Sequence, residues 1–475
     1  MATQMLPFYD RVEDALQNST LQHALERNMP RFVALRAQAL DKLIDEAALR
    51  DQARAIRAKS LARLDELLTR LADTVEARGG HVCWATDGKA AGQYIAELAQ
   101  RQAVKSIVKS KSMASEEIHL NAQLEAHSLE VIETDLGEYI IQLSGETPSH
   151  IIAPAIHMTR QEIGQLFQEK LGMEPTEDIP TMTRTARRVL RQRFVQADMG
   201  ISGVNFGIAE SGGMVLVTNE GNADLTTSVP RIHVAIMGIE RVVESLDDLA
   251  VMLQVLARSA TGQKLSVYTT FLSGPTRPGE PDGPEEFHLI LLDNGRSRIL
   301  GSAYAEALMC IRCGACLNAC PVYQSIGGHA YGGVYSGPIG SVISPLLHPD
   351  LPDVHQLPYA STLCGACQEA CPVRIALPDM LLRLRGDAVQ AGKVAPGEQA
   401  AMTAWQATMN NPALYRAGGT MASIITRLVG GREGVLKQLP PPLAGWTQYR
   451  DFPTFAKQSF SERWATQHGT DEEPQ

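Results

Sequence analysis

The chain has 475 residues, 44% of them hydrophobic, and its 53 acidic against 43 basic residues give a formal net charge of −10. That length has room for about three domains at roughly 150 residues each, with enough apolar content for a sizeable core. The acidic balance argues against a nucleic-acid binder, and no run reaches about 18 consecutive apolar residues, so no transmembrane helix is expected. The N-terminus lacks a basic segment leading into an apolar one, so no signal peptide is expected. A cytoplasmic location follows as the expectation, with peripheral attachment to a membrane through a partner as the alternative.

Residues from about 10 to 78 read as helical. Leu40, Leu43, Ile44 and Leu49 recur at helical spacing, as do Leu61, Leu64, Leu67, Leu68 and Leu71, until Arg78-Gly79-Gly80 stops the run. Such an arm packs on its own domain or on a partner. An alternating pattern follows: strands at His81–Ala85, Ser106–Lys109 and Leu129–Ile132, and helices at Lys89–Gln102 and Ser115–Ala126. This implies βαβ units and a parallel sheet. Ser149–Ala153 adds a strand, and Arg160–Leu171 and Thr181–Ala197 read as helices. Cys83, on the first strand, reads as a small buried hydrophobe. Val204–Ala209 and Met214–Val217, joined by Glu210-Ser-Gly-Gly213, read as a hairpin. His233–Met237 and His288–Leu292 are further strands, with the stiff loop Gly274–Pro284 between them and Asp293-Asn-Gly295 ending the last. Leu377–Ala391 reads as a helix, followed by short helices and Pro-rich turns and a disordered tail from Gly469 to Gln475.

Seven of the eight cysteines sit in two runs, Cys310-x₂-Cys313-x₂-Cys316-x₃-Cys320-Pro321 and Cys364-x₂-Cys367-x₃-Cys371-Pro372. Thiolates at these spacings turn three sulfurs toward one inorganic cluster, and the fourth cysteine of each run serves the neighbouring cluster. Cys310, Cys313, Cys316 and Cys371 therefore hold a first cluster of the [4Fe–4S] type, while Cys320 crosses to join Cys364 and Cys367 at a second. The prolines after Cys320 and Cys371 stop the chain from continuing as helix. A pair of zinc knuckles needs four ligands per site and does not explain both Cys-Pro ends. The second set is one cysteine short, because Ser361 stands three residues before Cys364. That site is a [4Fe–4S] cluster with a serine, histidine, water or partner ligand, a [3Fe–4S] cluster, or a labile site. His329, His348 and His355 are the nearby histidines. The glycine-rich stretch between the runs, Gly327 to Gly340, fits close backbone packing around a cofactor.

Elsewhere, candidate polar groups fall near the carboxyl ends of predicted strands, where open α/β sheets bind ligands. They are Lys109, Lys111, Glu116, Glu117, Asp135, Glu210, Asn219, Glu220, Asn222 and Asp224. A Gly-rich turn such as Glu210–Gly213 would admit a phosphate, but no G-x-G-x-x-G or P-loop spacing is present. No nucleophile–base pair is recognisable, so the catalytic residues are unassigned.

Glu133-Thr-Asp-Leu-Gly-Glu-Tyr-Ile-Ile-Gln142, the segment Ala209–Asn222, the two cysteine runs, Gly328-His-Ala-Tyr-Gly332, and Gly445-Trp446 with Arg450-Asp-Phe-Pro453 together resemble the lactate utilization protein B family over nearly the whole chain. The resemblance implies an N-terminal helical arm (1–65) and an α/β domain (66–300) of the ribose-5-phosphate isomerase/CoA-transferase-like class. A helical, ferredoxin-like two-cluster domain (301–385) and a small, mostly helical C-terminal domain (386–475) follow. It further implies an iron–sulfur electron-transfer role in oxidising L-lactate to pyruvate beside two sister proteins, one cysteine-rich and one a smaller α/β relative. The acceptor would be a quinone or another carrier. Two other readings are that the α/β domain itself binds the hydroxy acid as a catalytic subunit, and that a labile second cluster senses redox state.

Overall fold

The computed structural model describes residues 6–146, 155, 158–441, 443–448 and 450–468. The expected strand Ser149–Ala153, Pro442 and the tail from Gly469 lie outside the described residues. The chain divides into two compact units, Met1–Asp387 and Ala388–Gln475. Among the described residues no helix is long and apolar enough to cross a membrane.

The first unit opens with four helices: α1 (Phe8–Gln17), α2 (Ser19–Leu40), α3 (Glu46–Ala62) and α4 (Leu64–Ala77). The helical spacing read across Leu40 to Leu49 is interrupted. Asp45 caps α3 by accepting the Ala48 N–H, and Ile44 is left fully exposed in the turn. Leu64, Leu67, Leu68 and Leu71 do form one buried stripe along α4.

A six-stranded sheet follows, built from β1 (His81–Ala85), β2 (Ser106–Lys109), β3 (Glu130–Glu133), β4 (Met199–Gly203), β7 (Ile232–Gly238) and β10 (Glu286–Leu292). Its order is β1-β10-β7-β4-β2-β3 and every neighbouring pair is parallel. Alternate residues serve opposite faces. Ile290 and Leu292 pack with Ile95 and Leu98 on one side, while Leu289 and Leu291 pack with Leu67 and Leu71 of α4 on the other.

A second sheet holds β5 (Phe206–Ile208), β6 (Gly213–Thr218), β8 (Val242–Val243) and β9 (Tyr268–Leu272) in the order β8-β5-β6-β9. β5 and β6 form the expected hairpin. Helix Leu246–Thr261 packs against β5 and against α2 and α3.

Several assignments change. The central strand β4 is hidden in the sequence by two glycines, which weaken any strand signal. Gly200 is required there, since a Cβ would lie 1.9 Å from the Thr226 carbonyl oxygen. The single helix expected at Ser115–Ala126 is two short ones, Met113–Glu117 and Leu120–Glu125, separated by His119 at a φ of 50°. Helix Leu136–Ser144, capped by Asp135, was not anticipated. Cys83 lies on β1, half-buried against the core.

The helical segment carrying the cysteine runs completes the first unit and shares its largest core with α1, α2 and α3. Helix Leu377–Gln390 matches expectation. In the second unit the short helices expected are instead two long ones, Pro396–Met409 and Pro412–Gly430, packed on each other, with the small antiparallel pair β11 (Val435–Leu436) and β12 (Phe452–Pro453) and a last helix, Phe460–His468.

Candidate functional site

The first cysteine run forms a loop with two left-handed residues, Arg312 at a φ of 60° and Gly314 at 76°. Between them Cys313 turns inward, and the short helix Ala315–Asn318 then presents Cys316. Cys310, Cys313, Cys316 and Cys371 line a single apolar cavity walled by Ile311, Ile339, Val373, Ile375 and Leu377. Backbone N–H groups point at its sulfurs. Arg312 donates to Cys310 Sγ at 3.4 Å and Ile375 to Cys371 Sγ at 3.4 Å, while Ala315 and Ile339 donate to Cys313 and Cys316. Burial, with the neighbouring Cys371 charge, pushes the Cys313 thiol up to about 12. Four thiolates are unfavourable in such a pocket by themselves. A positively charged iron core that takes all four, with N–H groups already aimed at the sulfurs, relieves the repulsion, so the residues present fit the group.

Cys320, Cys364 and Cys367 form the second set, close enough for their charges to act on one another. Cys320 and Cys367 are buried and Cys364 is exposed. Pro321 does not simply end a helix. It opens the next, Pro321–Ile326, at the first position, where its missing N–H costs nothing. Of the nearby histidines, His348 is within electrostatic reach of Glu117 and His119. His329 adjoins Ala330, whose carbonyl accepts from Arg11 at 3.0 Å. His355 is half-buried in the turn Val354–Tyr359.

Buried arginines fix the first cysteine loop from two directions. Arg241 donates to the carbonyls of Cys310 (2.9 Å) and Ile311 (3.3 Å), and Arg57 to those of Leu308 (3.0 Å) and Met309 (3.3 Å). From α2 and α3, Arg36 reaches the Ala370 carbonyl at 2.9 Å, Arg50 the Cys371 carbonyl at 2.8 Å and Arg54 the Arg374 carbonyl at 2.6 Å. The N-terminal helices are thus the scaffold of the Cys371 turn.

Because every strand of the large sheet runs the same way, the carboxyl ends of β2, β4 and β7 share one edge, and a cavity of about 460 Å³ opens there. Its lining includes Ser110, Lys111 and Ser112 after β2, Asn205 after β4, and Glu240 and Arg241 after β7. Its far wall is Arg312, Cys313 and Tyr335 of the cysteine segment. The Arg312 guanidinium lies 4.1 Å from the centre of the Tyr335 ring and 3.8 Å from Glu240, and its Nη1 has no hydrogen-bond partner. Behind this wall Glu117 accepts from Arg296 at 2.8 and 2.7 Å, from Asn294 at 2.6 Å and from Tyr335 at 2.5 Å. Burial alone would raise the Glu117 carboxyl, but the Arg296 charge and these hydrogen bonds outweigh it and hold it at about 2.

Three family models match the chain: a LUD domain over residues 68–292, a 4Fe-4S dicluster domain over 306–375 and a lactate utilisation protein B C-terminal domain over 383–469. A Lactate utilization protein B of Bacillus thuringiensis is 46% identical over 462 residues, covering 97% of each chain, and one of Bacillus anthracis matches equally. The chain belongs to the lactate utilization protein B family. The dicluster match implies two iron–sulfur clusters in this family member. Among solved structures, a DUF162 family protein from Deinococcus radiodurans aligns with 48% of this chain and 98% of its own at 15% identity, with a TM-score of 0.26, too low to carry any argument.

Of the polar candidates read from the family member's sequence, Lys111, Asp135, Asn219, Glu220 and Asn222 line the cavity. Glu117 is the buried partner of Arg296, and Lys109 is buried in a 2.8 Å ion pair with Glu133. Glu116, like these two, is not among the cavity's lining residues. Glu210 accepts the Leu246 N–H at 2.7 Å, and Gly212 in its turn packs against Thr74, so that turn holds α4 and is not part of the cavity. Asp224 accepts from Thr270. Sequence reasoning missed Arg241, Arg296, Glu240 and Tyr335. It also missed Arg312, whose place inside a C-x-x-C was the available signal.

Proposed function

We propose that this protein is the iron–sulfur electron-transfer component of a complex that oxidises L-lactate to pyruvate. Cys310, Cys313, Cys316 and Cys371 would hold a [4Fe–4S] cluster, and Cys320, Cys364 and Cys367 a second cluster. Bound there, the clusters would supply single-electron carriage, so the substrate's two electrons would pass through them one at a time. The observation that supports this most is the gathering of four cysteines from two distant runs around one cavity with N–H groups facing their sulfurs. The protein's own contribution is to hold the Cys310 loop through Arg57 and Arg241 and the Cys371 turn through Arg36 and Arg50. Two sister proteins complete the complex, one cysteine-rich and one a smaller α/β relative, in the cytoplasm or at a membrane surface, with a quinone or another carrier as acceptor. The modules divide near residues 65, 300 and 385, and the parallel sheet is of the ribose-5-phosphate isomerase/CoA-transferase-like class. Cys316→Ala and Cys367→Ala should each abolish lactate-dependent reduction of the acceptor by the assembled complex. Unchanged electron transfer in both would sink the proposal.

One observation favours a second role within the same reading, that the α/β domain binds the hydroxy acid. The 460 Å³ cavity abuts Cys313 and carries an unpartnered guanidinium nitrogen on Arg312, suited to a carboxylate. Calorimetric titration of the cluster-loaded protein with L-lactate should show binding that Arg312→Ala removes. The absence of binding to the wild type would reject this role.

A further inference from the structure

From Cys310 and from Ser361 onward, the loops that begin the two cysteine sets share the same succession of backbone features. In the first, a 3₁₀ turn (Ala305–Met309) leads to Cys310, whose carbonyl accepts from Arg241 at 2.9 Å and whose sulfur accepts the Arg312 N–H two residues on. Arg312 and Gly314 adopt left-handed φ values of 60° and 76° on either side of Cys313, and a short helix from Ala315 then carries Cys316. In the second, a 3₁₀ turn (Val354–Tyr359) leads to Ser361, whose carbonyl accepts from Arg385 at 2.8 Å. The Ser361 hydroxyl oxygen accepts the N–H of Leu363, two residues on, at 3.1 Å. Leu363 and Gly365 are left-handed, at 55° and 85°, on either side of Cys364, and a short helix from Ala366 carries Cys367.

A left-handed φ is uncommon for a residue such as arginine or leucine and is kept only where the surroundings demand it. Its occurrence at the same step of both loops, with the same hydrogen bond and an arginine on the same carbonyl, gives Ser361 Oγ the position in its loop that Cys310 Sγ has in the first. We propose that the Ser361 hydroxyl oxygen is the fourth protein ligand of the second iron–sulfur cluster, making it a [4Fe–4S] centre with three sulfur ligands and one oxygen ligand. This rests on the two-cluster reading above. As the Oγ–Fe bond forms, the hydroxyl proton leaves to solvent and no electron is transferred. The Leu363 N–H, already directed at the oxygen, stabilises the resulting alkoxide as the Arg312 N–H does the Cys310 thiolate. An oxygen donor is harder than a thiolate, so it distinguishes the two clusters electronically although their loops match.

The test is iron and sulfide analysis with anaerobic EPR on full-length wild-type protein, Ser361→Ala and Ser361→Cys. The wild type should hold about eight irons and give two reduced [4Fe–4S] signals. In Ser361→Ala the first signal should persist while the second is replaced by the oxidised-state signal of a [3Fe–4S] cluster, with about one iron lost per chain. Ser361→Cys should restore the iron and give a second cluster of shifted reduction potential, which also shows that the loop tolerates substitution. A wild-type second site that is already [3Fe–4S], or a Ser361→Ala protein whose second [4Fe–4S] signal and potential are unchanged, overturns the proposal. A wild type with only about four irons overturns the two-cluster reading and the proposal together.

Discussion

Replacing Glu117 by glutamine removes one charge from the most enclosed ion pair among the described residues and leaves a side chain of nearly the same size. The carboxylate is held at about 2 against an ordinary 4.5, so at about 1.4 kcal/mol per pH unit its ionised form adds about 3 kcal/mol to folding at neutral pH. Removing one partner of a buried pair costs about 3–5 kcal/mol, which brackets that figure. Arg296 keeps a second partner, Glu240 at 2.7 Å, so the lower end is expected. Because the folded-state value is depressed, the contribution is complete above pH ~4.5 and is lost as the pH falls toward 2. Urea unfolding followed by far-UV circular dichroism should therefore show a wild-type advantage of about 3 kcal/mol that is constant from pH 8 to 5. Equal stability of Glu117→Gln and wild type at neutral pH would refute the reasoning.

Arg50→Ala removes donors to the carbonyls of Glu369 and Cys371, bonds of about 1.5–3 kcal/mol each when charge-assisted, and should speed loss of iron to a chelator from the first cluster, read as bleaching of visible absorbance. His233 is buried with its Nε2 2.8 Å from Ser202 Oγ, and burial, helped by His288, lowers its pKa to about 3. The unfolded chain takes up that proton below pH ~6.5, so His233 should contribute a fall in stability of about 1.4 kcal/mol per pH unit from there, a contribution that His233→Gln removes in urea titrations at pH 7.5 and 5.5. Gly200→Ala places a methyl 1.9 Å from a backbone oxygen beside the central strand and should abolish soluble expression, while Gly221→Ala, with open space around it, should not.

The outer features of this fold are legible because their chemistry is local. Five strands of the large sheet, β1, β2, β3, β7 and β10, are legible as short strand-forming runs alternating with helices or bounded by turn residues. The cysteine spacing specifies the cluster segment without reference to anything else. β4 is illegible because Gly200 answers to the Thr226 carbonyl and Gly203 to Ser112, contacts made only after folding. The same holds for the arginine clamps. Arg57 occupies a position on the buried stripe of α3 with Ala53, Ile56 and Leu61, and an arginine in that register is the one hint the sequence offers. Its acceptors lie between 183 and 252 residues away, beyond the reach of any pattern. The cavity is invisible for a further reason. It is shared by strand ends and a cysteine loop that the sequence presents as separate domains.

The reach of these clamps has a consequence for biosynthesis. Arg50 and Cys371 are 321 residues apart, and the cavity ringed by Cys310, Cys313, Cys316 and Cys371 closes only when both are in place. As the chain leaves the ribosome, α1 to α3 emerge first and wait for their partners through the synthesis of the whole α/β domain. At about 5–20 residues per second that interval is tens of seconds, during which Leu21 and Leu25 of α2 lack the cysteine segment they pack against at Gly327. Closure of this pocket is therefore a late event, and a ribosome stalled before Cys371 yields a chain with three of the four lining cysteines and no means of closing it.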